Sequence, residues 1–279
     1  MRVTHTWLDD TARIRLEGIR ETVTMYHCTD AHVAVPEEEK GPNPARVDRI
    51  STMAHAREVI FRQTIERVAA SDVDLIALTG DIINFPTPSS IEFVTGVLRG
   101  IETPWLFTSG NHDWLLPGVE NEDGLLREAW WDRLEPLHKG SPSHCSREVG
   151  GIEFVCVDNS TFRVDEEQLA FVRECLGKQL PTVLLYHIPI SLPTLRDDSI
   201  ASVGHNLMAD PEWHPEVEWW DPKATDAFVE TLAGAENLVA TFCGHIHIPH
   251  ADSLSRTAVQ YVGAPGFSGF GRMAEFRPW

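Results

Sequence analysis

A chain of 279 residues with 42% apolar side chains can close one large core and hide roughly 75% of the surface its unfolded form would expose. Its 42 acidic residues outnumber 23 basic ones, and a formal charge of −19 excludes long nucleic acid, whose binding needs many lysine and arginine contacts to phosphate. A small phosphate ester is not excluded, because a metal centre supplies local positive charge that the whole-chain sum hides.

Residues 4–24 alternate apolar and polar side chains around Asp9, Asp10 and Gly18, which predicts an edge hairpin leading into a strand that delivers Asp30. From Val33 to Ile50 the chain turns to Pro, Glu, Asn and Gly and reads as a long surface loop. Apolar side chains at helical spacing over 51–70, opened by a Ser51-Thr52 cap, predict a helix, and the run VDLIALTGD predicts a buried strand after it. The alternation continues with a helix near 89–100, a strand near 104–109, a helix near 121–135, a strand at 152–158, a helix at 165–177 and a strand at 181–187. Residues 222–234 read as a helix, and 237–243, 247–252 and 257–262 as strands. No repeat or linker interrupts this order, so residues 1–279 are expected to form a single α/β domain. Residues 189–221 break the pattern with their prolines and with Trp213, Trp219 and Trp220, and read either as a cap or lid or as an oligomer contact such as a homodimer interface.

The five cysteines, Cys28, Cys145, Cys156, Cys175 and Cys243, are scattered without a CxxC pair, so neither a disulfide framework nor a zinc knuckle is expected. Cys28 and Cys243 each stand two residues before a candidate ligand, but a strand cysteine reads first as a small buried hydrophobe. With no apolar leader segment and no stretch of about 18 apolar residues, a soluble cytoplasmic protein with no membrane partner is expected.

Five β-like runs, VTMYHCTDAH, LIALTGD, WLFTSGNHD, TVLLYH and LVATFCGHIH, each end in residues that bind metals. In open α/β sheets ligands bind beyond the carboxyl ends of the strands, so the five ends are expected to converge. Asp30, His32, Asp81, Asn111, His187, His245 and His247 together offer two carboxylates, an amide oxygen and four imidazoles. Seven ligands are too many for one tetrahedral catalytic ion, whereas two ions sharing a carboxylate fit the set. The excess positive charge of such a pair favours hydroxide and an anionic substrate. In an extended strand residues i and i+2 point to the same side, which would aim Asp30 and His32 at one ion. His112 follows Asn111 directly and reads as a transition-state stabiliser or general acid, or else as a structural neighbour. Asp113 is placed beside it as a residue that orients its neighbours through hydrogen bonds.

The order DxH, GD, GNHD, H and GHxH, spread from Asp30 to His247, resembles the calcineurin-like metallophosphoesterase superfamily. The resemblance implies a four-layer α/β/β/α sandwich with a dinuclear metal site at the C-terminal strand ends, and hydrolysis of phosphomonoesters or phosphodiesters. It also implies that Asp30, His32 and His247 hold one ion, that Asn111, His187 and His245 hold the other, and that Asp81 bridges them. The nucleophile would be a hydroxide shared by the ions, and His112 would be the catalytic imidazole. The ions would be manganese, iron or zinc.

One departure narrows the substrate. Many members read GDxxD, but here the stretch is Gly80-Asp81-Ile82-Ile83-Asn84, and the arginine that accompanies it in the resembling protein Ser/Thr phosphatases is missing. The expectation is therefore a small-molecule phosphodiesterase of cyclic-nucleotide or glycerophosphodiester type, with a nucleotide or sugar phosphomonoesterase as the alternative and a non-catalytic interaction module as a third reading. Trp114 reads as packing or as a stacking platform, and Gly263-Ala264-Pro265-Gly266 as backbone returning to the metal edge or a plain turn. His27, His205, His214 and His250, like Arg46 and Arg49, read as supporting or surface groups.

Overall fold

The computed structural model describes residues 1–8, 10–36, 43–116, 126–204, 206–212 and 222–279. A hairpin of β1 (Val3–Leu8) and β2 (Thr11–Leu16) precedes β3 (Val23–Cys28), α1 (Pro44–Ala69), β4 (Leu75–Thr79), α2 (Pro88–Arg99) and β5 (Trp105–Thr108). Two short helices, α3 (Leu126–Ala129) and α4 (Trp131–Leu134), lead to β6 (His144–Val149), β7 (Ile152–Val157), α5 (Glu166–Gly177) and β8 (Thr182–Leu185). Then come α6 (Pro193–Ser202), α7 (Lys223–Gly234), β9 (Leu238–Cys243), β10 (His250–Ser253), β11 (Val259–Val262) and β12 (Arg272–Pro278).

These strands make two six-stranded mixed sheets, ordered β1-β2-β12-β3-β4-β5 and β10-β11-β9-β8-β7-β6. Strands covered on both faces read as continuous apolar runs, and β4 is an example. Leu75 and Ala77 face the second sheet, while Ile76 and Leu78 pack with Phe61 and Ile65 of α1 and Val94 and Leu98 of α2. On the opposite outer face Val155, Val157 and Leu184 meet Leu169 and Val172 of α5 and Phe228 and Leu232 of α7. The layers are therefore α/β/β/α, as the motif resemblance implied. β3, β4 and β5 are mutually parallel, as are β7, β8, β9 and β11, so their carboxyl ends share one edge.

Several expected boundaries move. α1 begins at Pro44, inside the stretch read as loop, because Asn43 caps it by accepting the Arg46 N–H (3.2 Å) and proline suits the first turn. Arg46 and Arg49 are accordingly exposed on a helix. The helix expected near 121–135 appears as the short α3 and α4, and 117–125 lie outside the described residues. The strand expected from 247 starts at His250, since His247 has a left-handed backbone. Within 189–221, α6 and the Ile190–Met208 bridge pack Leu195, Leu207 and Met208 into the outer core, while Trp213, Trp219 and Trp220 lie outside the described residues.

Two strands escape sequence reading, β6 and β12. β12 lies between β2 (parallel) and β3 (antiparallel) and sends Ala274 and Phe276 into the inter-sheet core. Phe276 is fully buried and meets Phe154 of the other sheet edge-on, ring centroids 5.7 Å apart. Phe276→Ala should lower unfolding free energy by about 3–5 kcal/mol in denaturant titration, the cost of an aromatic cavity in a well-packed core.

Candidate metal centre

The chain leaves each parallel strand by a tight turn, and the candidate ligands stand on those turns. Among the described residues nine non-glycine positions have left-handed backbone, five of them Asp30 (φ 53°), His32 (45°), Asp81 (52°), His245 (72°) and His247 (56°). Asp30 and His32 thus do not continue an extended strand, contrary to the i, i+2 expectation; β3 ends at Cys28. Such conformations cost of order 1–3 kcal/mol each and persist only where surroundings over-determine them. Here the turns hydrogen-bond to one another: the N–H groups of Asp30, His32 and Val33 donate to the carbonyls of Gly80, Asp81 and Ile82 at 3.0, 2.8 and 2.9 Å. Gly266 and Phe267 donate to the carbonyls of Thr29 and Asp30 at 2.8 and 3.1 Å, so the Gly263–Gly266 stretch does return to this edge. The glycines before the ligands allow the close approach. A methyl on Gly110 would collide with the Asp81 carboxylate and come 2.8 Å from His187 Nε2, and one on Gly244 would collide with Thr29 and Asp30.

The side chains fall into overlapping groups. Ligand atoms of Asp30, His32 and His247 lie within 4.8 Å of one another, as do those of Asp81, His187 and His245, and those of His32, Asp81 and His112. Asp81 Oδ2 stands between the first two groups, 3.7 Å from His32 Nε2 and 3.3 Å from His187 Nε2. Its other oxygen accepts the His112 N–H at 2.8 Å. Asp30 turns Oδ1 to His247 Nε2 (3.2 Å), while Oδ2 accepts from the Thr29 hydroxyl (2.8 Å) and the His245 N–H (3.0 Å). Asn111, His112 and Asp113 form a single 3₁₀ turn. The His112 ring lies edge-on to His32, centroids 4.6 Å apart, and is partly exposed.

Further residues aim the candidate ligands: Asp113, expected from its place beside His112, and Thr79, Asn84 and Asn159, whose support sequence reading does not show. His187 Nδ1 donates to the Thr79 carbonyl (2.8 Å) and His32 Nδ1 to Asn84 Oδ1 (2.9 Å), so both rings present Nε2 to the centre. Asn159 Oδ1 accepts the N–H groups of His187 and Ile188, both at 3.0 Å. Asp113 is fully buried and accepts three amides, from Asp81 (2.8 Å), Gly110 (2.7 Å) and Ile83 (2.9 Å). Its oxygens are thereby spent on positioning the turns after β4 and β5. Asn84 is the last letter of the GDxxN departure, the only sequence signal for Thr79, Asn84 and Asn159.

Other candidates fall away from the ligands. Trp114 is buried and donates to Ser160 Oγ (2.9 Å), which is packing. Cys28 and Cys243 are buried thiols, and burial pushes Cys28 up to about 12. His27 pairs with Thr79 Oγ1 (2.6 Å) and His250 with Asp198 (3.0 Å); His205 and His214 lie outside the described residues.

The electrostatics call for cations. Burial would raise both Asp30 and Asp81, but the surrounding imidazoles hold them below the usual carboxylate range. Burial would lower His187, yet the Asp81 and Asp30 charges bring it up to about 10. Burial and then His187 pull His245 down to about 3, and burial takes His32 down to about 4. Burial and the Asp81 charge lift Asp113 to about 8 despite its amide donors. Asn111 Oδ1, His187 Nε2 and His245 Nε2 are buried without a hydrogen-bond partner, and His32 Nε2 faces His247 Nε2 at 3.1 Å. Unpartnered polar atoms converging on two buried carboxylates fit a pair of metal ions.

A layered α/β/β/α sandwich with candidate ligand groups on either side of the Asp81 carboxylate at the strand ends is the architecture of a dinuclear metallohydrolase. A family model for calcineurin-like phosphoesterases matches residues 23–249, and the chain belongs to that family. It is a metal-dependent phosphoester hydrolase. The chain is 25% identical over 237 residues, 81% of its length and 74% of the relative's, to a protein of Psychrobacter arcticus named "Probable cyclic nucleotide phosphodiesterase". A Fibrobacter succinogenes protein with the same naming is 24% identical over 63% of this chain and 58% of its own. In fold the chain is similar to a dimetal phosphatase from Danio rerio (TM-score 0.57, 13% identity, 89% of each chain) and to purple acid phosphatase PPD1 from yellow lupin (TM-score 0.51, 14% identity, 92% of this chain and 46% of that one).

Two outcomes test the centre. Asn84→Ala should weaken metal binding about 10–100-fold in chelator competition, because His32 loses the acceptor that fixes its ring. The raised His187 pKa means that its proton competes with metal below about 10, so affinity should rise with pH across the neutral range. Calorimetry in buffers of different ionisation enthalpy should then register release of about one proton on metal loading at pH 7, and buffer-independent heats would contradict the assignment.

Proposed function

We propose that the chain hydrolyses a small-molecule phosphodiester of cyclic-nucleotide or glycerophosphodiester type. The observation that carries the reading is the position of Asp81 Oδ2 between His32 and His187, each the member of a separate ligand group. Asp30, His32 and His247 would hold one ion, Asn111, His187 and His245 the second, and Asp81 both. Manganese, iron and zinc all suit this mixture of imidazole, carboxylate and amide oxygen. When bound, the ion pair supplies Lewis acidity, activating water and drawing the anionic ester.

The chain's own groups do the rest. The ligand turns, locked by backbone hydrogen bonds, fix where the phosphoryl group sits, which removes orientational entropy from the reaction. His112 hangs from Asp81 by its amide and leaves its imidazole at the rim, where it can donate to a phosphoryl oxygen or protonate the departing alkoxide. Phe162 and Phe267 flank the centre, edge-on to His245 and His247 with centroids 5.3 and 5.2 Å away, and exclude water from its sides.

The names of the Psychrobacter and Fibrobacter relatives favour a cyclic nucleotide or similar diester. All five cysteines are buried free thiols, which supports work in a reducing compartment such as the cytoplasm; among the described residues no helix is long and apolar enough to cross a membrane. A panel of phosphomonoesters and phosphodiesters on metal-defined protein tests the reading. Diesters should be preferred, and Asp81→Ala should lower kcat roughly a thousandfold, the several kcal/mol that metal ions contribute. Manganese-loaded native protein inert towards bis(p-nitrophenyl) phosphate would refute it, and faster turnover of monoesters would move the assignment to a phosphomonoesterase.

A further inference from the structure

The loop after β7 leaves the second sheet at the same edge as the metal centre. Asn159 of this loop holds the His187 backbone, and Phe162, at φ 65°, sets its ring against His245. The residues on either side of Phe162, Thr161 and Arg163, line a cleft of about 320 Å³ whose walls also include Arg127, Glu128, Asp165 and Gln168. That volume is at the lower end for small-molecule sites.

Two features of the cleft are unusual for a protein with 42 acidic and 23 basic residues. Arg127 is only 7% exposed and its Nε is buried without a hydrogen-bond partner, as is the Thr161 hydroxyl. Glu128 and Asp158 stand 3.7 and 3.8 Å from its Nη atoms, beyond hydrogen-bonding distance. The Asp158 oxygen nearest Arg127 is already bonded by the Ser160 amide at 3.0 Å, and Asp165 is spent capping α5 through the Gln168 N–H at 2.8 Å. Arg163 shares the cleft with Glu128, Asp165 and Glu166, and burial followed by the Arg127 charge pulls its guanidinium down from its ordinary value against the opposing Asp165 and Glu128 charges. Arg127 is partly compensated by the Glu128 and Asp158 carboxylates and by the Trp131 ring beneath it, but a buried guanidinium nitrogen without an acceptor is costly, and two guanidiniums in one cleft repel. An oxyanion between them relieves both costs, since a guanidinium fork matches carboxylate or phosphate oxygens.

We propose that this cleft is a specificity subsite, in which Arg127, Arg163 and Thr161 receive a second acidic group, carboxylate or phosphate, carried on the alcohol half of the substrate. The inference rests on the diesterase reading. It narrows the substrate class to diesters with an additional negative charge remote from the scissile phosphorus. The cleft selects substrates and leaves the chemistry to the metal centre.

Matched p-nitrophenyl phosphodiesters test it: one with a propyl group, the others with carboxyalkyl or phosphoalkyl arms of increasing length. Native enzyme loaded with manganese should prefer an acid-bearing ester, chiefly through KM. Arg163→Ala should cut the acid-to-propyl ratio of kcat/KM about tenfold or more, the value of a charge-assisted hydrogen bond, and Arg163→Lys should restore part of it. Arg127→Lys, which keeps the buried charge, should lower the same ratio without the folding risk of truncation, and the unequal loss with carboxylate and phosphate arms identifies the natural group. Native enzyme without preference for any acidic arm, or variants that slow propyl and acidic esters equally, would overturn the subsite while leaving the diesterase intact. Native enzyme that cleaves none of these diesters would overturn the diesterase reading, and the subsite with it.

Discussion

Two carboxylates buried side by side, Asp30 and Asp81, dictate what may surround them. Unpaired, each would be neutralised by protonation; ringed by imidazoles, both stay ionised and the burden of charge passes to whatever cation enters. The left-handed turns, the missing side chains at Gly110 and Gly244, and the Asp113 carboxylate braced by three amides can all be understood as means of bringing those two anions close without letting the backbone relax. Remove the two charges and most of the strain at this edge loses its purpose.

The same arrangement explains why support comes from so many elements. Two of the candidate ligand rings are aimed by other segments: His32 of the turn after β3 leans on Asn84 after β4, and His187 after β8 leans on Thr79 of β4 and Asn159 after β7. The turn after β11 closes on Thr29 and Asp30 from the other side. Both sheets must therefore be in register before either ligand group is complete, which ties the centre to the packing of the inter-sheet core.

Much of this could be read from the chain because strands covered on both faces are uninterrupted apolar runs, and each run stops at a residue type that metals favour. LIALTGD and TVLLYH announce both strand and ligand. Of the supporting residues Asp113 was legible and Asn84 was marked only by the GDxxN departure, whereas Thr79 and Asn159 act through bonds to segments far away in sequence and carry no local pattern. β12 was opaque for a different reason. Its core-facing positions are Arg272, Ala274 and Phe276, so a buried arginine and a small residue blur the alternation that marks a strand. At α1, proline and asparagine, read as loop formers, are instead the opening of a helix.

The placing of β12 also bears on how the molecule is assembled. The hairpin of β1 and β2 precedes β3 to β11 in chain order, yet its neighbour in the sheet is β12, which follows them all, with Ile14 paired to Phe276. Until that partner arrives the hairpin has no strand to join it to its sheet, and the edge of β3 stays open. Loop closure over almost the whole chain is slow, and an unpaired strand is an invitation to association with other chains. During synthesis β1, β2 and β3 must wait for β12, and until it emerges their open edges are exposed to pairing with other chains.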